Sequence, residues 1–227
     1  MPCFKPLQAW SCPDDSTKTG RRMVFKKHIA QCLTDLKSNE VMLPCGRCIG
    51  CRLEHSKQWA TRCMHEAQMH EFSCFITLTY DDFNLPDYGN LVKSDFQKFM
   101  KRLRKRYSDS KIRYYACGEY GEQFGRPHFH AILFGIDFTH DAEFFKRLPS
   151  GFNLYKSSAL ADLWPFGYVS VGKVSFESAA YVARYCTKKV TGPLASEHYE
   201  RVDAETGEFI NLNPEFSLMS LKPAIGR

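Results

Sequence analysis

Two hydrophobic periods alternate along most of this chain. Residues 52–71 place Leu53, Trp59-Ala60, Cys63-Met64 and Ala67 at helical spacing. Residues 94–107 put Phe96, Phe99-Met100 and Leu103 on one helical face and Lys and Arg on the other, with Ser94 as the cap. Stretches 72–80, 111–120, 126–134 and 168–174 are β-branched and aromatic and predict strands. Short helices are expected at 141–147 and 157–163. A longer one is expected at 176–190, opened by Ser175 and stopped by Gly192-Pro193. Before residue 45 only 22–25 suggests a strand, and 193–227 carries few periodic signals, as a segment that wraps the domain or is partly disordered. Three segments result: 1–70, 71–192 and 193–227.

Composition narrows the class. The 227 residues suffice for one sizeable core or a core plus a small module. With 44% hydrophobic and 25% charged residues the chain reads as soluble and globular. No run is long enough to span a bilayer, and no basic region followed by an apolar one opens the chain, so a cytoplasmic protein without membrane partners is expected. The net charge of +6 is mild, but residues 98–106 hold six of the 31 Lys and Arg. That run suits a solvated helix face, or a phosphate backbone.

Ten cysteines in such a chain argue for reduced thiols or metal ligation. The stretch Leu43-Pro44-Cys45-Gly46-Arg47-Cys48-Ile49-Gly50-Cys51 is the specific signal. Two successive C-x2-C spacings aim three thiolates at one ion. A tetrahedral Zn2+ needs a fourth ligand. Along a continuous helix Cys63 would lie roughly 18 Å from Cys51, too far to serve. Cys3, Cys12 and His55 remain, and Cys3 on the N-terminal arm is preferred. A structural zinc on Cys3, Cys45, Cys48 and Cys51 is the expectation, with an iron–sulfur cluster as the runner-up.

The other chemistry begins at Arg126-Pro127-His128-Phe129-His130. In a strand, side chains two apart share a face, so His128 and His130 point together while Phe129 enters the core. This is either half a metal site or a half-buried strand with incidental imidazoles. The glycine-containing turn 121–125 makes a hairpin that can bring Glu119 across from both histidines. Tyr181 and Tyr185 are i and i+4 on the last helix, and Lys188 lies a turn further. Two imidazoles and a carboxylate suit Mn2+ or Mg2+ with positions left for phosphate oxygens. A tyrosine, with a pKa near ~10, could then attack a phosphodiester once its phenolate is favoured. The second tyrosine would allow a second transfer, and Lys188 would offset developing charge.

Three ordered segments carry a resemblance: Phe75-Ile76-Thr77-Leu78-Thr79-Tyr80; Gly118-Glu119-Tyr120-Gly121 with Arg126-Pro127-His128-Phe129-His130; and Tyr181-Val182-Ala183-Arg184-Tyr185-Cys186-Thr187-Lys188. The chain resembles the HUH endonuclease superfamily, and closely the rolling-circle replication initiators of gokushovirus-type microviruses. The cysteine stretch and Glu215-Phe216-Ser217-Leu218-Met219-Ser220 extend that likeness. The resemblance implies an α+β fold, an antiparallel sheet of RRM-like topology flanked by helices, with 71–192 as the nicking domain. It implies His128, His130 and Glu119 as ligands of a catalytic Mn2+ or Mg2+, Tyr181 and Tyr185 as nucleophiles and Lys188 as their assistant. The reaction implied is nicking of single-stranded DNA at a replication origin through a covalent 5′-phosphotyrosine, in the cytoplasm of an infected host. No Gly-x4-Gly-Lys-Ser/Thr loop is present, so a helicase, like the polymerase, is expected from the host. The rival is a non-catalytic module that binds single-stranded nucleic acid.

Overall fold

The computed structural model describes residues 3–26, 28, 39–122, 124–185, 189–190, 194–203 and 206–226. The chain divides into two compact units, 1–55 and 56–227. Helix α1, Ile49–Gln68, begins in the first and ends in the second.

In the first unit, strand β1 (Leu7–Pro13) is flanked by β2 (Arg21–Phe25) and β3 (Glu40–Leu43), all antiparallel. Among the described residues its buried apolar interior is small: Ala9, Trp10, Cys12 and Val24. Cys12 is disulfide-bonded, contrary to the expectation of reduced thiols. So small a core gains most from a covalent or metal staple.

The second unit is built on a seven-stranded antiparallel sheet. Its strands are β4 (Ser73–Tyr80), β5 (Arg113–Tyr120), β6 (Pro127–Phe134), β7 (Glu143–Arg147), β8 (Asn153–Lys156), β9 (Gly167–Gly172) and β12 (Phe216–Met219). They lie in the order β12-β5-β6-β4-β9-β8-β7. Helix α2 (Lys93–Arg106) joins β4 to β5, and α3 (Ser158–Ala161) precedes β9. Taken as β4-α2-β5-β6-α3-β9, the centre is a βαββαβ unit with β4 and β6 innermost, the RRM-like arrangement expected. Helices α4 (Phe176–Tyr185) and α5 (Leu194–Tyr199) follow, then a separate hairpin of β10 (Glu200–Val202) and β11 (Phe209–Asn211). No helix among the described residues is long and apolar enough to cross a membrane.

Alternation along the central strands gives the sheet two different faces. On one, Ile76, Leu78, Tyr80, Phe129, Ala131 and Leu133 pack beneath Phe96, Phe99, Met100 and Leu103 of α2, together with Leu160 and Trp164. On the other, Phe75, Tyr115, Cys117, Ile132 and Phe134 pack beneath Ala60 and Cys63 of α1 and Ala179, Val182 and Ala183 of α4. That second cover is incomplete, for Thr77, Thr79 and His128 on the same face remain half-buried. Strand β12 adds an edge next to β5, where Phe216 lies over Gly118. A Cβ at Gly118 would stand 2.8 Å from the Phe216 ring, so only glycine admits it.

A further expectation changes. Residues 141–147 are not a helix: a 3-10 turn, Thr139–Asp141, leads into strand β7. All five β7 residues are exposed, so no apolar stripe holds a helix there, and Gly151 at φ +87 closes a hairpin with β8. The basic helix α2 lies on the face opposite His128 and His130. Several of its cations are used locally: Arg102 Nε donates to the Leu163 carbonyl at 2.8 Å and Arg106 pairs with Asp162 at 3.1 Å.

Candidate metal centre and tyrosine helix

Strand register assembles the first site. Glu119 is directly opposite His128, and Cys117 opposite His130, across the β5–β6 pair. Directly opposed residues share a face, so Glu119 and both imidazoles converge. His128 Nε2 lies 3.1 Å and His130 Nε2 3.0 Å from the same Glu119 oxygen, Oε1. One ligand atom from each residue lies within 4.8 Å of the others. Glu119 is 1% exposed. Burial pushes its carboxyl up, but hydrogen bonding to His128 and then His130, with their charge, holds it below the ordinary glutamate range.

The far side of each ring fixes its orientation. His128 Nδ1 is 3.0 Å from the Arg126 carbonyl, and His130 Nδ1 is 2.9 Å from Thr77 Oγ1. A carbonyl only accepts, so His128 Nδ1 carries a proton and, in neutral imidazole, Nε2 carries a lone pair. That lone pair faces a carboxylate oxygen at 3.1 Å. Two electron-rich atoms held this close require a cation between them, either a proton or a metal ion. The donor set and its outer hydrogen bonds therefore fit a divalent metal.

Helix α4 overhangs this centre. Ser175 and Ser178 cap it reciprocally: Ser178 N–H donates to Ser175 Oγ at 3.2 Å, and Ser175 N–H to Ser178 Oγ at 2.9 Å. Ser56 of α1 donates to the Ala180 carbonyl at 2.8 Å and fixes its position over the sheet. With Ala179, Val182 and Ala183 buried, Tyr181 is left at the rim, 37% exposed. Its ring centroid is 5.1 Å from that of His130, edge-on, while Phe75 stacks on His130 at 5.6 Å and meets the Tyr181 ring edge-on at 6.4 Å. Tyr181, Glu119, His128, Gly121, Phe124 and Arg126 line one cleft. Tyr185 closes α4, but its side chain, and Lys188 entirely, lie outside what is described.

The cysteine cluster forms in the first unit. Sγ atoms of Cys3, Cys45, Cys48 and Cys51 all lie within 4.8 Å of one another. Cys48 and Cys3 are separated by 3.8 Å and Cys45 and Cys51 by 4.0 Å, without disulfides. A tetrahedron of sulfurs at the Zn–S distance has edges of about 3.8 Å. Backbone N–H groups aim at the sulfurs: Cys45 N at Cys3, Cys48 N at Cys45 and Phe4 N at Cys48, at 3.3–3.4 Å. Donation from Cys51 N–H and then Phe4 N–H lowers the Cys48 thiol to about 6, while burial pushes Cys51 up to about 12. A cluster with one ready thiolate and one resisted by burial fits a cation that ionises all four.

The motifs missed the orienting groups, Thr77 and the Arg126 carbonyl. Thr77 lies opposite His130 in the β4–β6 register, a pairing that its residue type does not signal. Nor does the sequence signal the loop tether. Arg126 reaches back to the Tyr80 carbonyl at 2.9 Å and pairs with Asp82, which holds the turn before His128 in place.

The family model described as replication-associated protein ORF2/G2P matches residues 73–190. Replication-associated protein VP4 of Bdellovibrio phage phiMH2K is 33% identical over 205 residues, 87% of this chain and 61% of that protein. Replication-associated protein ORF2 of Spiroplasma virus 4 is 32% identical over 203 residues, 84% of this chain and 62% of that one. Replication-associated protein ORF4 of Chlamydia phage 1 is 38% identical over 155 residues, 65% of this chain and 38% of its own length. The chain thus spans about three fifths of the first two relatives. No solved structure matches.

Proposed function

This chain belongs to the replication-associated protein ORF2/G2P family, and from that premise we propose that it is a metal-dependent nicking and joining enzyme that starts rolling-circle replication at an origin in single-stranded DNA. The observation that carries this reading is the convergence of both imidazole Nε2 atoms on Glu119 Oε1 beneath the Tyr181 ring.

Glu119, His128 and His130 would hold Mn2+ or Mg2+. Such an ion polarises a phosphodiester and neutralises charge gathered on its oxygens. The chain's own residues do the rest. Glu119, buried and ionised, supplies the negative charge of the ligand set, and Thr77 and the Arg126 carbonyl keep both imidazoles facing inward. Tyr181 attacks: its Oη bonds to phosphorus, the P–O3′ bond breaks, and the phenolic proton is lost as the 3′ oxygen takes one up. The 5′ phosphate stays on the tyrosine and conserves the bond for rejoining. Tyr185 would serve a second transfer, with Lys188 stabilising the charge that develops.

Cys3, Cys45, Cys48 and Cys51 would hold a structural Zn2+. The setting proposed is the cytoplasm of an infected host cell, with host helicase and polymerase completing replication. The test is incubation with a random pool of single-stranded oligonucleotides and Mn2+, then a denaturing gel. A protein–DNA band that chelation prevents is the expected result. Binding without such a band would leave a non-catalytic single-strand-binding protein.

A further inference from the structure

Phosphates that cross the catalytic face need cations there, and the lysine- and arginine-rich α2 stands on the other face. The catalytic face has its own basic and aromatic groups. Thr79 lies opposite His128 on one side and opposite Tyr168 on the other, so Tyr168 shares their face two strands away. Tyr168 is 70% exposed. Its place is set by Gly167, at φ +145, where a Cβ would stand 2.2 Å from the Asp81 nitrogen.

The next strand continues the line. Tyr155 pairs with Val171, which faces the α2 side with its partner Ile76, so alternation puts Leu154 and Lys156 on the Tyr168 side. Leu154 Cδ2 lies 3.3 Å from where a Gly172 Cβ would be, in agreement. Phe145 occupies the bulge of β7 between Phe144 and Lys146. Its ring lies under two ammonium groups, Lys156 Nζ at 4.6 Å and Lys146 Nζ at 5.3 Å from the centroid. Phe144 turns away to Tyr155. A bulge and lysines are ordinary protection for an edge strand. Edge protection gives no reason for Phe145 to be 44% exposed beneath the lysines, nor for Tyr168, two strands inward, to be exposed.

We propose that Tyr168, Lys156, Phe145 and Lys146 form a second single-strand-binding subsite, which stacks bases of the DNA flanking the cut and pairs with its phosphates. It rests on the single-stranded substrate of the function proposed above. Four inter-strand steps separate β6 from β7, about 19 Å, so the track holds a few nucleotides beyond the reacting phosphate. Aromatic rings stack any base, so the subsite adds affinity without sequence preference, while the lysines displace counterions.

The test is fluorescence anisotropy of the full chain with a labelled oligothymidylate about 20 nucleotides long. Tyr168→Ala and Phe145→Ala should each weaken binding by about 5- to 100-fold, and Tyr168→Phe should restore it. Lys156→Gln should flatten the slope of log affinity against log salt by about 0.7. Wild-type protein that fails to bind the oligomer, alanine variants that bind within a factor of ~2 of it, or an unchanged salt slope would each overturn the subsite. Covalent adduct formation by the wild type is scored separately: if adduct forms while these variants bind normally, the subsite falls and the nicking reading stands. If the variants lose binding but no adduct forms, the reverse holds.

Discussion

His128 Nε2 stands 3.1 Å from Glu119 Oε1, across directly opposed positions of β6 and β5, with its Nδ1 committed to the Arg126 carbonyl. The same carboxylate oxygen meets His130 Nε2 at 3.0 Å, and Thr77 holds the far side of that ring. Thr77→Val keeps shape and removes the hydroxyl. It should cost about 10- to 100-fold in Mn2+ affinity by titration calorimetry with the melting temperature nearly unchanged, and Glu119→Gln should cost more. Equal Mn2+ affinity in wild type and Glu119→Gln would remove the centre from the account.

Phe129 separates the two histidines and is fully buried against Tyr80, Phe96, Trp164 and Phe216. Phe129→Ala should lower unfolding stability by about 3–5 kcal/mol in urea titration. A loss below ~1 kcal/mol would mean that this side of the sheet can collapse around the cavity.

Glu66 joins three partners around the second unit's end: the Gly226 N–H at 2.9 Å, His70 at 3.2 Å and a short contact with Arg113. Burial pushes its carboxyl up, but these bonds, Gly226 first, hold it below its ordinary value. A lowered folded pKa contributes stability above the unfolded value of about 4.3, and that stability is lost as pH falls through the folded value. The stability gap between wild type and Glu66→Gln, measured in urea, should therefore narrow below about pH 4. A gap constant with pH would contradict the linkage.

Much of this architecture was legible because it rests on period and spacing. Period-two stretches gave the central strands, and the glycine turn 121–125 placed Glu119 opposite His128. Phe129 was legible as the inward spacer. Strand β7 was not, because a fully exposed edge strand has no buried side to impose a period. The basic run at 98–106 was visible, but the face that α2 covers depends on a long-range choice that local sequence does not encode. Thr77 and the Arg126 carbonyl were invisible for a related reason: their role comes from cross-strand register and a loop tether, not from residue type.

The four-sulfur cluster should isolate with one zinc per chain by elemental analysis. Cys48→Ser and Cys3→Ser should each reduce that content and destabilise the first unit, whose described core is small. Iron with visible absorbance would favour the cluster alternative, and metal-free protein with intact fold would exclude a structural ion.

The most direct measurement of the central claim is peptide mass spectrometry of protein incubated with Mn2+ and a single-stranded substrate. A nucleotide-bearing peptide that contains residue 181 or 185 is expected, with the DNA joined through its 5′ phosphate and the label absent when Glu119 is replaced by Gln. Cleaved DNA without any tyrosine-linked nucleotide, or a label that persists in the Tyr181→Phe, Tyr185→Phe double variant, would contradict it.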